Sequence, residues 1–391
     1  MVPLMRNTFI NEFETKKALS EFILSTNKLS MDVKCIEFER EFAKFQGRKD
    51  AILFNSGGSA NIALLQALKN LDILKDSDNI GFSALTWSTN TMPIIQMGFN
   101  PIAIDCEPKT INVMSKNVLD CLKETRLNAL FTTNVLGLCG DLDKIKNICE
   151  EKGIILIEDN CESLGTEIKE GKTGNFGIAS TFSFFVAHHM STIEGGMVCT
   201  DDYQLSEMLK IVRANGWDRN LSSLQQAKLR NQYGISSEFE AKYTFYDLGF
   251  NMRPTEITGF LGLQQLKYIN ENIRIRENNY LKIEQNIKQN DDFLLLNRDH
   301  IKILSSFALP FVCKTPEVRK KYVEQFSGAG IEIRPLIAGN IQRQPFYNKY
   351  VKHLRELPGA DYLNDSAFYC GNYPDLTESD IEIISSCLMR Y

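Results

Sequence analysis

The stretch AILFNSGGSANIALLQALKNL, residues 51–71, decides the fold. AILFNS (51–56) is a short apolar run that reads as a buried strand, and ANIALLQALKNL (60–71) carries its apolar residues at helical spacing. Between them lies a small turn holding Gly57, Gly58 and Ser59. Strand, turn and helix in that order are the repeating unit of an α/β fold, with helices covering both faces of a mostly parallel sheet.

The alternation continues outward. NPIAIDC (100–106), NALFTTNVLG (128–137) and GIILIEDN (153–160) read as further strands. DLDKIKNICEEKG (141–153) reads as a helix with Leu142, Ile145 and Ile148 at helical spacing. Residues 218–245 are polar and read as an excursion over the surface. A long helical stretch over 254–289 is expected to bend or break, and the segments FALPFVC and GIEIRPL beyond it read as a smaller α+β region. These patterns predict an N-terminal segment over 1–30, a large domain over 31–265 and a small C-terminal domain over 266–391.

At 391 residues, with 43% hydrophobic and 24% charged residues, the chain has ample material for a full core. A net charge of −5, with scattered Lys and Arg, gives nucleic acid or an anionic membrane no handle. No apolar run is long enough to cross a bilayer, and MVPLMRNTFINEFETKK lacks the apolar core of a signal peptide. The ten cysteines include no CxC or CxxC pair, which argues against a zinc site or a disulfide framework. A reduced, cytoplasmic protein is expected.

Three places carry chemistry. The Gly57-Gly58-Ser59 turn opens a helix, where free N–H groups hold phosphate; taken alone, an ordinary turn capped by Ser59 is the plainer reading, since neither a P-loop nor a Rossmann fingerprint is present. The G-x-x-G-x-x-G run at Gly171, Gly174 and Gly177 does not lead from a strand into a helix and is no nucleotide motif. Asp159, beside Glu158, ends a strand, where parallel sheets bind ligands; it fits a capping residue or the partner of a bound cation. Were the ligand pyridoxal phosphate, its phosphate would sit on Gly58 and Ser59, and Asp159 would keep its ring nitrogen protonated. Trp87, in FSALTWSTN (82–90), would cover its ring, although core filling explains a tryptophan there as well. The adjacent His188 and His189, in FSFFVAHHMSTIEGGMV (182–198), fit either a packed ring or a catalytic base.

Taken in order, four segments resemble the DegT/DnrJ/EryC1/StrS sugar aminotransferase family of fold-type I pyridoxal phosphate enzymes over almost the whole chain. They are CIEFEREFAKFQGRKDAILFNSGGSAN (35–61), IEDNCESLG (157–165), STFSFFVAHHMSTIEGGMV (180–198) and DLGFNMRPTEITGFLGLQQL (247–266). The resemblance implies an aspartate aminotransferase-like fold, a large domain with a smaller α+β one. It implies that Gly58, Ser59 and Ser183 meet the cofactor phosphate, that Trp87 stacks on the ring and that Asp159 pairs with the ring nitrogen. Glu162 would lie near the cofactor's 3-hydroxyl, and Asn251 would reach a phosphate across a homodimer interface.

One departure redirects the chemistry. With Ser183 and Glu194-Gly195-Gly196 fixing the register, His188 falls at the family's Schiff-base lysine and His189 at its asparagine. Imidazole forms no stable Schiff base. The same replacement marks the 3-dehydratases of nucleotide-linked 4-keto-6-deoxy sugars, and Glu162, IRPLIAGNIQRQPF (333–346) and FYCGNYP (368–374) also resemble that branch. One subtype uses an iron–sulfur cluster held partly by a CxC pair, which this chain lacks, so the cluster-free GDP-4-keto-6-deoxymannose type is the nearer likeness. It implies pyridoxal and pyridoxamine phosphate as cofactor forms, L-glutamate as amino donor, a GDP-sugar substrate, His188 as base and release of ammonia. Arg253 or Arg334 would hold a carboxylate or sugar phosphate, or form plain surface ion pairs. The rivals are an aminotransferase using another lysine, such as Lys172, a related 3-dehydratase acting on another nucleotide-linked sugar, and a ligand-binding regulatory relative without catalysis.

Overall fold

The computed structural model describes residues 1–389. Its strands are β1 (Asp50–Phe54), β2 (Asn79–Ser83), β3 (Asn100–Ile104), β4 (Ala129–Thr133), β5 (Ile155–Asp159), β6 (Glu167–Ile168), β7 (Gly171–Lys172), β8 (Ala179–Ser183), β9 (Gly196–Thr200), β10 (Ile301–Ile303), β11 (Ala308–Val312), β12 (Ile333–Pro335) and β13 (Ala367–Gly371). Seven of them form the main sheet in the order β1-β9-β8-β5-β4-β2-β3. β9 is antiparallel to both neighbours, and the other pairings are parallel. Two antiparallel sheets, β10-β6-β7 and β11-β13-β12, complete the set. The sequence-derived α/β class and its strands are observed, and the stretch 254–289 breaks into helices Glu256–Leu266 and Ile269–Lys288.

Side-chain alternation along β8 divides core from site. Phe182 and Phe184 point one way, into an aromatic cluster with Phe42 at centroid distances of 5.2 Å each, while Ser183 takes the opposite face. Phe42 and Phe38 come from helix Val33–Gln46, which lies close against helix Glu256–Leu266. Glycine permits that approach: a Cβ at Gly259 would sit 2.4 Å from Cys35 N, and one at Gly262 2.4 Å from the Phe38 ring. The Glu256 carboxylate then satisfies the open helix start, accepting from the amides of Asp32 (2.6 Å), Lys34 (2.9 Å) and Cys35 (3.2 Å).

A buried ion pair fixes the end of β1. Arg213 Nη1 donates to Glu39 Oε1 at 2.5 Å and to the Leu53 carbonyl at 2.7 Å, and Glu39 accepts the Leu53 amide at 2.8 Å. Both charges are desolvated, so each depends on the other. The polar stretch 218–245 contains helices Ser223–Gln232 and Glu238–Ala241 and leaves Phe239 and Tyr243 exposed. No described helix is long and apolar enough to cross a membrane.

Glu256→Ala removes the acceptor for three amides, and it should lower stability by about 1–3 kcal/mol in urea unfolding, with Glu256→Gln losing less. An unchanged midpoint in Glu256→Ala would show that the helix start is satisfied without it.

Candidate active site

A cavity of about 480 Å³ opens where β4, β5 and β8 end, and their last residues, Thr133, Asp159 and Ser183, all line it. Gly57, Gly58, Trp87 and Asn90 reach it from two helix starts, and Ile337 and Tyr369 close it from the side of the β11-β13-β12 sheet. This is the ligand position of parallel α/β sheets, beyond the carboxyl ends of the strands.

The glycine turn is tighter than its sequence suggests. Helix Gly57–Asn70 begins directly after Ser56, and Ser56, not Ser59, is the cap: Ser56 Oγ accepts the Ser59 amide at 3.0 Å. The Ser59 hydroxyl is engaged with Ser56 Oγ at 2.9 Å, and Ser59 is absent from the cavity wall. Helix starts leave their first N–H groups without intrahelical partners, here those of Gly57 and Gly58 on the wall. A Cβ at Gly57 would meet Ser183 Cβ at 2.7 Å, so only glycine lets this helix start lie against β8.

β5 sends its two acidic residues to opposite faces. Glu158 is buried and accepts the amides of Gly174 (2.7 Å), Phe176 (2.7 Å) and Gly177 (3.0 Å), so the glycine run at 171–177 wraps an internal carboxylate. Asp159 faces the cavity. Its Oδ2 accepts from Asn61 Nδ2 (3.1 Å) and Asn90 Nδ2 (2.6 Å), and its Oδ1 from the Cys161 amide (2.8 Å). Glu162 also lines the cavity, with Oε2 accepting the Leu136 amide at 2.9 Å.

The two histidines part company. His188 lines the cavity and bonds through Nδ1 to the Cys161 carbonyl at 2.7 Å. A carbonyl only accepts, so Nδ1 carries the proton and the lone pair of the neutral ring is on Nε2. Burial pulls the imidazole down to about 4, against the opposing pull of the Cys161 carbonyl and Asp159. His189 is buried, with Nε2 donating to the Ser305 carbonyl at 3.0 Å and its own carbonyl accepting from Asn272. Burial and then the Arg276 charge push His189 well below its ordinary value. Arg276 itself is buried, donating to Asn272 Oδ1 (2.6 Å) and to the carbonyls of Phe307 (3.0 Å) and Asn372. The Phe307 ring lies 5.2 Å from that of His188 and 6.0 Å from that of His189.

Trp87, 55% exposed, stands in the cavity wall with Gly58, Asp159, Glu162, Ser183 and His188. Asn251 and Arg253 do not join them. They line a separate cavity with Lys28, Arg213 and Arg219, and Arg253 donates to Asn251 at 3.1 Å. Arg334 lies on exposed β12, paired with Glu332 at 2.6 Å. Lys172 donates to the Phe45 carbonyl at 2.6 Å in another hollow, and no lysine lines the cavity of His188 among the described residues. Asn61, Asn90, Phe307, Tyr369 and Arg276 are additions to the residues legible in the sequence. Asn90 carried a faint signal, a polar residue one turn after Trp87; Tyr369 lies in FYCGNYP (368–374), a segment that carried the branch resemblance, and Phe307, from a distant segment, carried none.

The profile of the DegT/DnrJ/EryC1/StrS aminotransferase family matches residues 11–389. GDP-4-keto-6-deoxy-D-mannose 3-dehydratase of Escherichia coli is 32% identical over 379 residues, covering 95% of each chain. The protein of the same name from Yersinia pseudotuberculosis is 31% identical over 373 residues, covering 91% of each. A crystal structure of GDP-4-keto-6-deoxymannose 3-dehydratase with a trapped PLP-glutamate geminal diamine superposes with a TM-score of 0.90 at 30% identity, covering 100% of both chains.

The His188 environment has a consequence for acid stability. The native ring stays neutral down to about 4, whereas the unfolded chain takes up a proton near the ordinary 6.5. Protons therefore favour unfolding as pH falls from 6.5 towards 4, and contribute nothing above that window. Denaturant midpoints of the natural chain should fall more steeply over this window than those of His188→Asn. Parallel profiles would place a normally titrating imidazole at this position.

Proposed function

The chain belongs to the DegT/DnrJ/EryC1/StrS aminotransferase family, and from that premise we propose that it removes the C3 hydroxyl of a GDP-linked 4-keto-6-deoxy sugar. L-glutamate is the amino donor and pyridoxal phosphate the cofactor. The observation that carries the reading is the company His188 keeps: a neutral imidazole with Nε2 unprotonated stands in a cavity that no described lysine lines. Ordinary transamination needs an amine there.

The residues present fit the cofactor. The free N–H groups of Gly57 and Gly58 on the cavity wall suit a phosphate, with the Ser183 hydroxyl on the same wall. The carboxylate of Asp159 suits a protonated ring nitrogen, and Trp87 suits a ring face. Bound there, the cofactor supplies an electron sink for the reacting carbon.

The protein's part is proton handling and placement. Asp159, oriented by Asn61 and Asn90, holds the nitrogen proton in place. His188 Nε2 takes a proton, because Nδ1 is committed to the Cys161 carbonyl. The resulting imidazolium returns that proton to the departing C3 oxygen, which leaves as water. Glutamate provides the two electrons that replace C–O by C–H, and leaves as 2-oxoglutarate. One water is consumed in releasing ammonia and restoring the C4 ketone, so the sum is keto sugar plus glutamate giving 3-deoxy keto sugar, 2-oxoglutarate and ammonia. Asn251 and Arg253, remote from this cavity within one chain, fit a site completed by a second copy, and we infer a homodimer that works in the cytoplasm.

With pyridoxal phosphate, glutamate and GDP-4-keto-6-deoxymannose supplied, the sugar product should be lighter by one oxygen, with 2-oxoglutarate and ammonia formed in equal amounts. His188→Asn should slow this about 10²–10⁴-fold. An amino sugar as product would replace the proposal with transamination.

A further inference from the structure

Four side chains at the ligand edge of the sheet are bonded in series. Asn90 Nδ2 lies 2.6 Å from Asp159 Oδ2, the Thr86 hydroxyl 3.0 Å from Asn90 Oδ1, and the hydroxyls of Thr86 and Thr133 2.7 Å apart. None of the four residues is more than 4% exposed. Asp159, Asn90 and Thr133 line the cavity of His188; Thr86 does not. Thr133 and Asp159 are partners across β4 and β5, and Ser83 Oγ pins Thr133 by accepting its amide at 2.9 Å. The series thus runs from the end of β4, through the loop after β2 and the start of helix Ser88–Gln96, to the end of β5.

Donor and acceptor chemistry gives the series one direction. The Asp159 carboxylate also accepts from Asn61 and from the Cys161 amide, and no lysine or arginine lines the cavity among the described residues. N–H donors therefore hold its charge, and the end of the Asn90 amide that meets it is the N–H end. The amide carbonyl is left facing Thr86, which meets it with its single hydrogen. With that hydrogen spent, Thr133 is the donor between the two hydroxyls. Asn90 Oδ1 has no other partner among the described residues. Without the Thr86 hydroxyl it would be a buried unpaired carbonyl, or the amide would turn away from Asp159 in search of a donor.

We propose that Thr86 is a positioning residue for Asp159: by occupying the Asn90 carbonyl, its hydroxyl keeps the Asn90 N–H on the carboxylate. Thr86 stands off the cavity wall and acts on Asp159 through Asn90. Burial strengthens such a series, because each bond polarises the next. That Asp159 then faces a ring nitrogen rests on the proposed function; the series of bonds does not.

Proton spectra of the full chain, labelled with nitrogen-15 at asparagine and without added cofactor, read the lock itself, with Asn90→Ala identifying the signals. One Asn90 side-chain amide proton should lie at low field and exchange slowly in the natural chain and in Thr86→Ser, and lose both features in Thr86→Val. No such proton in the natural chain, or one that survives Thr86→Val, overturns the proposal. Absorbance titration with pyridoxal phosphate reads the consequence. Kd should rise about tenfold in Thr86→Val, stay within about twofold in Thr86→Ser, and rise no further when Thr86→Val is added to Asn90→Ala. A flat Kd in Thr86→Val overturns the role at the ligand. An equal rise in both backgrounds places the effect outside Asn90 and overturns the proposal as well. If pyridoxal phosphate does not bind the natural chain, the proposed function falls, and the amide spectrum still decides the lock.

Discussion

The hydrogen bond from His188 Nδ1 to the Cys161 carbonyl, 2.7 Å long, is the constraint on which the chemistry of this site depends. It commits one ring nitrogen and leaves the other as a base. Burial and the Arg276 charge act in the same direction, since both disfavour imidazolium. A lysine amine would be protonated in water at neutral pH and would capture a carbonyl cofactor once deprotonated; this imidazole does neither. The carbonyl that orients His188 lies two residues after Asp159, on the turn whose Cys161 amide also bonds Asp159. One short stretch, Asp159 to Glu162, thus supplies the anion, the tautomer lock and the second carboxyl.

What holds that stretch in place is the alternation of the central strands. β5 buries Glu158 under the amides of the 174–177 loop and turns Asp159 to the cavity. β8 buries Phe182 and Phe184 and turns Ser183 to the glycine helix start. The aromatic cluster behind them is closed by helix Val33–Gln46, which Glu256 and two glycines bring against helix Glu256–Leu266. The sequence segments that carry the family resemblance are therefore segments that pack around one half of the sheet, β1-β9-β8-β5. Their shared spacing has a packing cause as well as a chemical one.

Much of this was legible in the residues. A continuous apolar run ending at Glu158 and Asp159, and a glycine turn leading from a strand into a helix, mark strand ends where a ligand can bind. The shift of the helix cap from Ser59 to Ser56 was not legible, because it depends on Gly57 fitting under Ser183, a contact across the sheet. Arg276 reads as one more surface cation in NIRIREN; its burial between Asn272 and three backbone carbonyls is set by tertiary packing. Arg253 and Arg334 read as site residues for their chemistry, and the fold of a single chain leaves both outside the cavity of His188.

The state of one ring nitrogen tests the account most directly. Nitrogen-15 spectra of histidine-labelled protein, with His188→Asn identifying the signals, should show His188 neutral at pH 7, with the proton on Nδ1 and Nε2 bare. A proton on Nε2, or a charged imidazolium at that pH, would contradict the assignment of His188 as the base and with it the reading of the site.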